Sequence, residues 1–198
     1  MSTQEINRQI AQWAFNAFQP TGKSVSRVQD SDNVNYVDIL VGLNSPVQNC
    51  NSYATVNLSD HQIFRKGRSL PFRAEFLGVC DNRYSEYINI LATASFCAFK
   101  SRWEVGPGVI YPDIVRMYNA NWAVKHIILA DPFLWGDSFL SRSIGDRTIA
   151  WLMAVPITEY ECQYAEKFGS DKLLSVLEKN KVDFANMERE SSVGIKNN

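Results

Sequence analysis

The side chains that most often carry out chemistry in proteins are scarce in this chain of 198 residues. There are two histidines, His61 and His126, so a histidine-rich metal centre is excluded. The cysteines lie far apart and have no CxxC spacing, which argues against both a zinc site and a disulfide scaffold. They are Cys50, Cys80, Cys97 and Cys162, and we expect them to be free, buried thiols.

His61 follows Asp60 and could form an Asp-His acid-base pair beside a serine or cysteine nucleophile. Adjacent residues of a strand point to opposite faces, so a turn histidine that caps nearby backbone is the alternative. His126 alternates with apolar neighbours in KHIILA, which predicts a hydrogen-bonded structural histidine. The sequence contains no GxxxxGK[ST], GxGxxG, GxSxG or HExxH motif. These observations predict a protein that is not an enzyme and that has no metal or cofactor.

Charged and aromatic residues between positions 106 and 139 are better suited to binding another protein. Asp113 and Arg116 form either a charged pair on a binding surface or an ion pair that holds their loop. The aromatic residues of DPFLWGDSF supply either interface anchors or core packing. The candidate partner-binding residues are Tyr111, Asp113, Arg116, Asp131, Phe133, Trp135 and Asp137.

Hydrophobic periodicity and turn residues predict the elements that position these candidates. The stretch GPGVIYP indicates an irregular loop over 106–116. Strands are predicted over 36–43, 52–58, 70–79, 125–130 and 148–155, the last being apolar enough for burial on both faces and ended by Pro156. Helices are predicted over 1–20, 85–100 and 158–169, and a last helix begins at residue 170.

Local patterns add detail to these elements. Ser2 and Thr158 begin capping boxes with the glutamates three residues later. The segment SRVQDSDNVN is predicted to be a turn or hairpin connection. Apolar and polar residues alternate over 72–77, which predicts a strand with one buried and one mostly solvated face. An apolar stripe on the helix over 158–169 consists of Tyr160, Tyr164, Ala165 and Phe168.

The whole chain, residues 1–198, is predicted to be a single α+β domain with a mixed, largely antiparallel sheet packed with helices. The polar end ESSVGIKNN has little with which to pack, and residues 193–198 are predicted to be a flexible tail.

Charge and hydropathy narrow the class of protein further. Lysine and arginine number 20 against 21 aspartate and glutamate residues, a formal balance of -1 that does not call for nucleic acid or an anionic membrane. Mean hydropathy is -0.21, and no apolar run reaches the roughly 18 to 20 residues that span a bilayer. The first residues, MSTQEINRQIAQWAF, lack the pattern of a secretory signal peptide. We therefore expect a cytoplasmic protein.

Three segments resemble the suppressor-of-fused-like (SUFU-like) domain family, and the bacterial branch is the more similar. They are GPGVIYPDIVRMY, KHIILADPFLW and WLMAVPITEYECQYAEKFGSDKLLSVLEKN, and NILATASF and SYATVNLSDH extend the resemblance upstream. The resemblance covers the chain from about Tyr53 to Ser192, and the order and length of the segments are what make it specific.

This resemblance implies an immunity protein or antitoxin, because bacterial members often lie beside polymorphic toxins. The implied partner is a cognate toxin domain encoded by a neighbouring gene, and one class of such toxins is the nucleases. If the toxin is a nuclease, Asp113, Asp131 and Asp137 would mimic phosphate in its basic active site. No catalytic residues come with the resemblance. The chain is one domain long and lacks the additional C-terminal part of the animal members, so a role in Hedgehog-type signalling is set aside.

Two alternatives differ in class from this interpretation. One is a non-catalytic scaffolding or regulatory module of another pathway, and the other is an enzyme with an unrecognised carboxylate site. Neighbouring genes discriminate them, since a large toxin-like reading frame favours immunity and a metabolic operon favours an enzyme.

Overall fold

The structure, a computed structural model, describes residues 1–194. Its helices are α1 (Thr3–Phe18), α2 (Tyr87–Phe99), α3 (Glu159–Phe168) and α4 (Ser170–Lys179), with 3-10 segments at Leu58–Asp60 and Phe133–Phe139. The first six strands are β1 (Gly22–Gln29), β2 (Tyr36–Leu43), β3 (Cys50–Thr55), β4 (Phe64–Arg65), β5 (Arg68–Ser69) and β6 (Arg73–Asp81). The remaining strands are β7 (Ile110–Tyr111), β8 (Val124–Ala130), β9 (Arg142–Ile144) and β10 (Arg147–Thr158).

One eight-stranded sheet organises the fold. Seven strands follow the order β1-β2-β3-β6-β10-β8-β7, and β9 pairs with β10. The pairing of β6 with β10 is parallel, whereas the other pairs of this sheet are antiparallel. Strands β4 and β5 form a separate hairpin. The predicted α+β fold with a mixed, largely antiparallel sheet is therefore confirmed.

Helices cover both faces of the sheet. Helix α2 packs on β2, β3 and β6, and its inward residues join the core of that face. Helices α1, α3 and α4 and the 3-10 segment over 133–139 contribute to the core of the opposite face. Strand β10 lies between β6 and β8 and is buried over most of its length, as its apolar sequence predicts.

Both capping boxes are confirmed. The Ser2 hydroxyl accepts a hydrogen bond from the Glu5 N–H at 3.3 Å, and the Glu5 carboxylate accepts from the Ser2 N–H at 2.7 Å. The Thr158 hydroxyl likewise accepts from the Glu161 N–H at 3.3 Å. These reciprocal bonds satisfy N–H groups that have no partner inside the helix, which is why the spacing locates the helix starts correctly.

Two of the differences from the predicted boundaries have a clear structural reason. Residues 26–29 of SRVQDSDNVN belong to β1, where they pair with 36–39 of β2, so the turn is shorter than predicted. Pro156 does not end β10, which continues to Thr158. The Pro156 carbonyl accepts from Arg189 at 2.9 Å, on the side of the strand that faces away from β8. Since the missing N–H of Pro156 would also point to that side, no ladder hydrogen bond is lost.

The end of the described chain also differs from the prediction of a tail with little to pack against. Val193 is buried and joins the core, and the Ser192 N–H and hydroxyl both donate to Glu161. Residues 195–198 of the predicted tail lie outside the described residues.

Strand β6 is the largest correction to the pattern analysis. The alternation over 72–77 predicts one solvated face, yet the residues from Ala74 to Cys80 are buried, including Glu75. The reason is tertiary, because β6 lies between β3 and β10 in the middle of a sheet covered by helices on both faces.

Replacing Gly78 of β6 by alanine is expected to lower the free energy of unfolding by about 2 to 3 kcal/mol. A Cβ atom at this position would lie 2.6 Å from Cζ of Tyr87. The Tyr87 ring is fully buried, and its hydroxyl donates to the Ala154 carbonyl at 2.9 Å. The ring therefore has no room to retreat without losing that hydrogen bond, and urea denaturation measures the loss.

Gly194→Ala is the matched control for Gly78→Ala, because a Cβ atom at Gly194 would meet no heavy atom within 4 Å. We expect this variant to unfold within about 0.5 kcal/mol of the unchanged protein. Equal stabilities for the two variants would show that Tyr87 does not pack tightly over Gly78.

Candidate functional site

The Asp-His pair considered for catalysis does not form. The Asp60 carboxylate accepts hydrogen bonds from Asn7, at 2.9 Å, and from Arg147. The His61 ring stacks on Phe99 with the ring centroids 3.8 Å apart, and burial lowers the pKa of His61. The His61 N–H donates to the Leu58 carbonyl at the end of the 3-10 segment. His61 is therefore a turn histidine, but its ring packs on Phe99 and its hydrogen bond to nearby backbone comes from the main-chain N–H.

His126 is a buried, hydrogen-bonded structural histidine, as predicted. Its Nδ1 accepts from the Asp113 N–H at 2.9 Å, so the ring proton belongs on Nε2. Nε2 lies 3.3 Å from a carboxylate oxygen of Glu159 and donates to it. The ring thus ties the loop that carries Asp113 to the start of α3.

The four cysteines are free, and Cys80 and Cys162 are buried while Cys50 and Cys97 are half-buried. Burial raises the pKa of each thiol, to about 11 for Cys162. Since the thiolate is the reactive form, these thiols are poor nucleophiles near neutral pH. Among residues 1–194, no group of three or more histidine, cysteine, aspartate or glutamate side chains is arranged to hold a metal ion.

The carboxylate of Glu75 is unusual because it is 0% exposed and none of its hydrogen-bond partners is a cation. Its oxygens accept from the Ser59 N–H at 3.0 Å, from the Leu58 N–H at 3.2 Å and from the Thr55 hydroxyl. Burial raises the pKa of Glu75 to about 7. This carboxylate has no exposed surface with which to meet a substrate, and its contacts anchor the 3-10 segment to β6.

Two of the seven predicted partner-binding residues are core residues instead. Tyr111 is 0% exposed and packs edge-on against Trp103, and Trp135 is 9% exposed and packs against Phe18 and Phe139. Both lie on segments that look irregular in sequence but turn their large aromatic side chains inward. Core packing, the alternative considered for the aromatic residues of DPFLWGDSF, describes Trp135.

The other five predicted residues are exposed and form two separate groups. Asp113 and Arg116 lie beside the start of β8, whereas Asp131, Phe133 and Asp137 follow its end. About 17 Å of extended strand separates His126, beside the first group, from Asp131 in the second. Each group therefore occupies its own part of the surface.

Arg116 joins its loop to α3. It forms ion pairs with Asp113 at 3.0 Å and with Glu159 at 2.6 Å. The geometry fits both alternatives considered for Asp113 and Arg116. The ion pair holds the loop, and its exposed side chains are also available to a partner. The loop over 106–116 and the first turn of α3 thus form one continuous surface.

The outer face of α3 carries an aromatic surface made by most of the apolar stripe that the sequence predicts. Tyr160 is 52% exposed and Phe168 is 47% exposed, because α3 turns Glu161, Cys162 and Ala165 inward. A shallow cavity of about 470 Å³ lies over this face and is also bounded by Val193 and Gly194. We name as the α3 aromatic face the residues Tyr160, Gln163, Tyr164, Lys167 and Phe168.

A buried ion pair fixes which side of α3 faces outward. Arg189 binds both carboxylate oxygens of Glu161, each at 2.7 Å, and donates to the Pro156 carbonyl at 2.9 Å. Burial alone would raise the pKa of Glu161, but the hydrogen bonds and charge of Arg189 lower it below its ordinary value. The inward position of Glu161 follows from its capping-box bond to Thr158, which is the sequence signal that could have placed the aromatic residues outside.

Comparison with known proteins identifies the family of this chain. The sequence model described as "Suppressor of fused protein (SUFU)" matches residues 32–190. The chain belongs to the suppressor of fused family. The chain is also 36% identical over 193 residues to "Immunity protein YqcF" of Bacillus subtilis (strain 168), a match that covers 98% of this chain and 100% of that protein.

Solved structures of the family share the fold. A SUFU homologue from Neisseria gonorrhoeae FA 1090 superimposes with a TM-score of 0.73 at 12% identity, covering 96% of this chain and 98% of that one. The Sufu-Fu complex gives a TM-score of 0.65 at 13% identity, covering 94% and 92% of the two chains. Drosophila Suppressor of Fused gives 0.52 at 15% identity, and the match covers 92% of this chain but 45% of that one. The shared fold therefore extends over nearly all of this chain. None of the helices within residues 1–194 has the length and apolar character needed to cross a membrane.

Proposed function

We propose that this protein is an immunity protein that binds and neutralises a cognate bacterial toxin domain in the cytoplasm. The observation that carries the proposal is the match to a relative named an immunity protein, which extends over 98% of this chain and the whole of that protein. End-to-end similarity at 36% identity means that the relative offers a partner the same arrangement of elements.

The side chains support binding over catalysis. Both histidines are engaged in structural contacts, the thiols have raised pKa values, and Glu75 is enclosed by three hydrogen-bond donors. We therefore propose that the protein is not an enzyme and acts by occupying a surface of the toxin. Inhibitors of this kind depend on slow dissociation, which buried anchor residues provide.

Five of the predicted partner-binding residues remain in the proposed interface: Asp113, Arg116, Asp131, Phe133 and Asp137. Phe133 is exposed and offers an aromatic anchor, and the three aspartates offer carboxylates. If the toxin is a nuclease, these carboxylates would occupy the sites that its basic active site provides for phosphate.

Co-expression with the toxin encoded by the neighbouring gene tests the proposal. We expect the unmodified protein to restore growth, and a folded Asp113→Lys, Phe133→Ala variant to bind the toxin at least about tenfold more weakly. The matched control is Asp146→Lys with Val25→Ala, which changes an exposed acid and an exposed apolar residue elsewhere. Failure of the unmodified protein to restore growth would contradict the immunity function. Unchanged binding by the first variant would contradict the interface alone.

A further inference from the structure

The α3 aromatic face has the features of a preformed binding surface. Tyr160, Tyr164 and Phe168 recur every four residues and therefore line one side of the helix. The rings of Tyr164 and Phe168 pack against each other with centroids 4.7 Å apart. Because each ring restrains its neighbour, little side-chain entropy is left to lose when a partner binds. Exposed aromatic clusters of this kind supply the anchors of protein interfaces.

Cations surround the exposed end of this stripe. Nζ of Lys167 lies 5.2 Å from the Phe168 ring centroid, and Nζ of Lys172 lies 5.1 Å from it. A neighbouring hollow of about 450 Å³ shares Phe168 and is lined by Arg65 and Lys172, with Asp171 as its acidic residue. Among residues 1–194, Arg65, Lys167 and Lys172 form no ion pair with a carboxylate.

The first N–H groups of α4 add to this positive potential. The first helical hydrogen bond of α4 runs from the Leu173 N–H to the Gly169 carbonyl, so the N–H groups before it are directed out of the helix start. Ser170, Asp171 and Lys172, which carry these N–H groups, line the same hollow as Arg65. Surface carboxylates of a partner would therefore meet cations and free N–H groups next to an exposed aromatic ring.

We propose that the α3 aromatic face and the adjoining hollow are a second docking surface for the toxin, which binds an acidic segment that carries one large apolar anchor. The anchor packs against Tyr160, Tyr164 and Phe168, and flanking carboxylates bind Lys167, Lys172 and Arg65. This inference rests on the proposed immunity function and names the chemistry of the toxin segment that is recognised.

Two other occupants fit the surface less well. A second copy of the chain, docked symmetrically through this face, would bring together two surfaces that carry the same lysines, and these surfaces repel. A nucleic acid needs free ring faces for base stacking, but Tyr164 and Phe168 cover each other and a lysine approaches Phe168.

The test is titration calorimetry of this protein with the toxin domain encoded by the neighbouring gene. We expect Phe168→Ala to weaken binding about 30-fold and Lys167→Glu with Lys172→Glu to weaken it at least about tenfold. The charge variant is also expected to flatten the dependence of the dissociation constant on salt. These residues are at the surface, so the variants should retain the circular dichroism spectrum and Tm of the unmodified protein.

Matched controls occupy exposed positions on α1, β1 and β2, and these two strands lie at the end of the sheet opposite to β8 and β7. Tyr36→Ala removes another exposed aromatic ring with a cation over it, and Arg8→Glu with Lys23→Glu makes the same change in net charge. Both controls are expected to bind within about twofold of the unmodified protein. Weakening by the controls equal to that of the α3 variants would overturn the inference.

Zero-length cross-linking gives a second readout. A water-soluble carbodiimide joins a lysine amine directly to a carboxylate, so Lys167 or Lys172 should be recovered in peptides linked to toxin aspartate or glutamate. Cross-links confined to other lysines, or unchanged binding by the α3 variants, would overturn the inference while leaving the immunity function in place. If the unmodified protein neither binds the toxin nor restores growth, both the inference and the proposed function are overturned.

Discussion

Replacing Arg189 by alanine is expected to lower the free energy of unfolding by about 3 to 5 kcal/mol, measured by urea denaturation. Glu161 is fully buried, and without the guanidinium that binds both of its oxygens it must either stay charged with no counter-ion or take up a proton, and both cost stability at neutral pH. The Ser192 and Thr158 N–H groups donate to the same carboxylate but supply no positive charge. The free energy lost when one partner of a buried pair is removed is therefore much larger than the net free energy that the intact pair contributes.

Arg83→Ala is the control for this change. Arg83 binds Asp81 at 3.0 Å through an exposed guanidinium, so its loss is expected to cost at most about 1 kcal/mol. A second comparison is Glu161→Gln with Arg189→Met, which removes both charges and should recover part of the stability lost in Arg189→Ala. If Arg189→Ala were no less stable than Arg83→Ala, the buried pair would not hold the end of the chain.

The same ion pair connects stability to the proposed binding surface. Arg189 attaches the segment after α4 to the start of α3, and that segment brings Val193 and Gly194 to the border of the α3 aromatic face. The pair also fixes the inward side of α3, which leaves Tyr160 and Phe168 outside. A polar group that is absent from the binding surface thus determines which side chains reach it.

Local sequence signals were sufficient for much of the fold. The two capping boxes located the starts of α1 and α3, because each is closed by residues only three positions apart. The apolar run of β10 indicated a strand buried on both faces, which is the central position that it occupies. Resemblance to the family supplied the fold class, which the structure and the comparisons confirm.

Predictions failed where a residue's environment depends on distant parts of the chain. Most of the apolar stripe of α3 lies outside, because the inward side of the helix carries Glu161, whose partner Arg189 lies 28 positions further along the chain. Trp135 looks like an exposed anchor until Phe18 of α1 packs against it. Glu75 looks solvated because it alternates with apolar neighbours, yet helices cover both faces of its strand. The environments of Trp135 and Glu75 depend on long-range contacts that leave no local signal, whereas the capping box of Thr158 and Glu161 is a local signal for the inward side of α3.

Glu75 leads to a prediction about pH. Burial raises the pKa of Glu75 from 4.5 to about 7, and the charge of Asp60 acts in the same direction. A carboxyl group with a raised pKa stabilises the fold while it is protonated. Its contribution is therefore complete below about pH 4.5, where both the folded and unfolded states hold the proton, and it is lost as the pH rises through about 7.

We expect the free energy of unfolding contributed by this group to fall by roughly 3 kcal/mol between pH 4.5 and 7.5. Glu75→Gln cannot ionise, and its amide can still accept from the Ser59 N–H, so its stability should lack this fall. Glu178→Gln, at an exposed position on α4, is the control and should keep the pH dependence of the unmodified protein. The measurement is urea denaturation of the three proteins across this pH range. If Glu75→Gln and the unmodified protein lost stability in parallel, Glu75 would have the same pKa in the folded and unfolded chains, and its enclosure by Thr55, Leu58 and Ser59 would not control its ionisation.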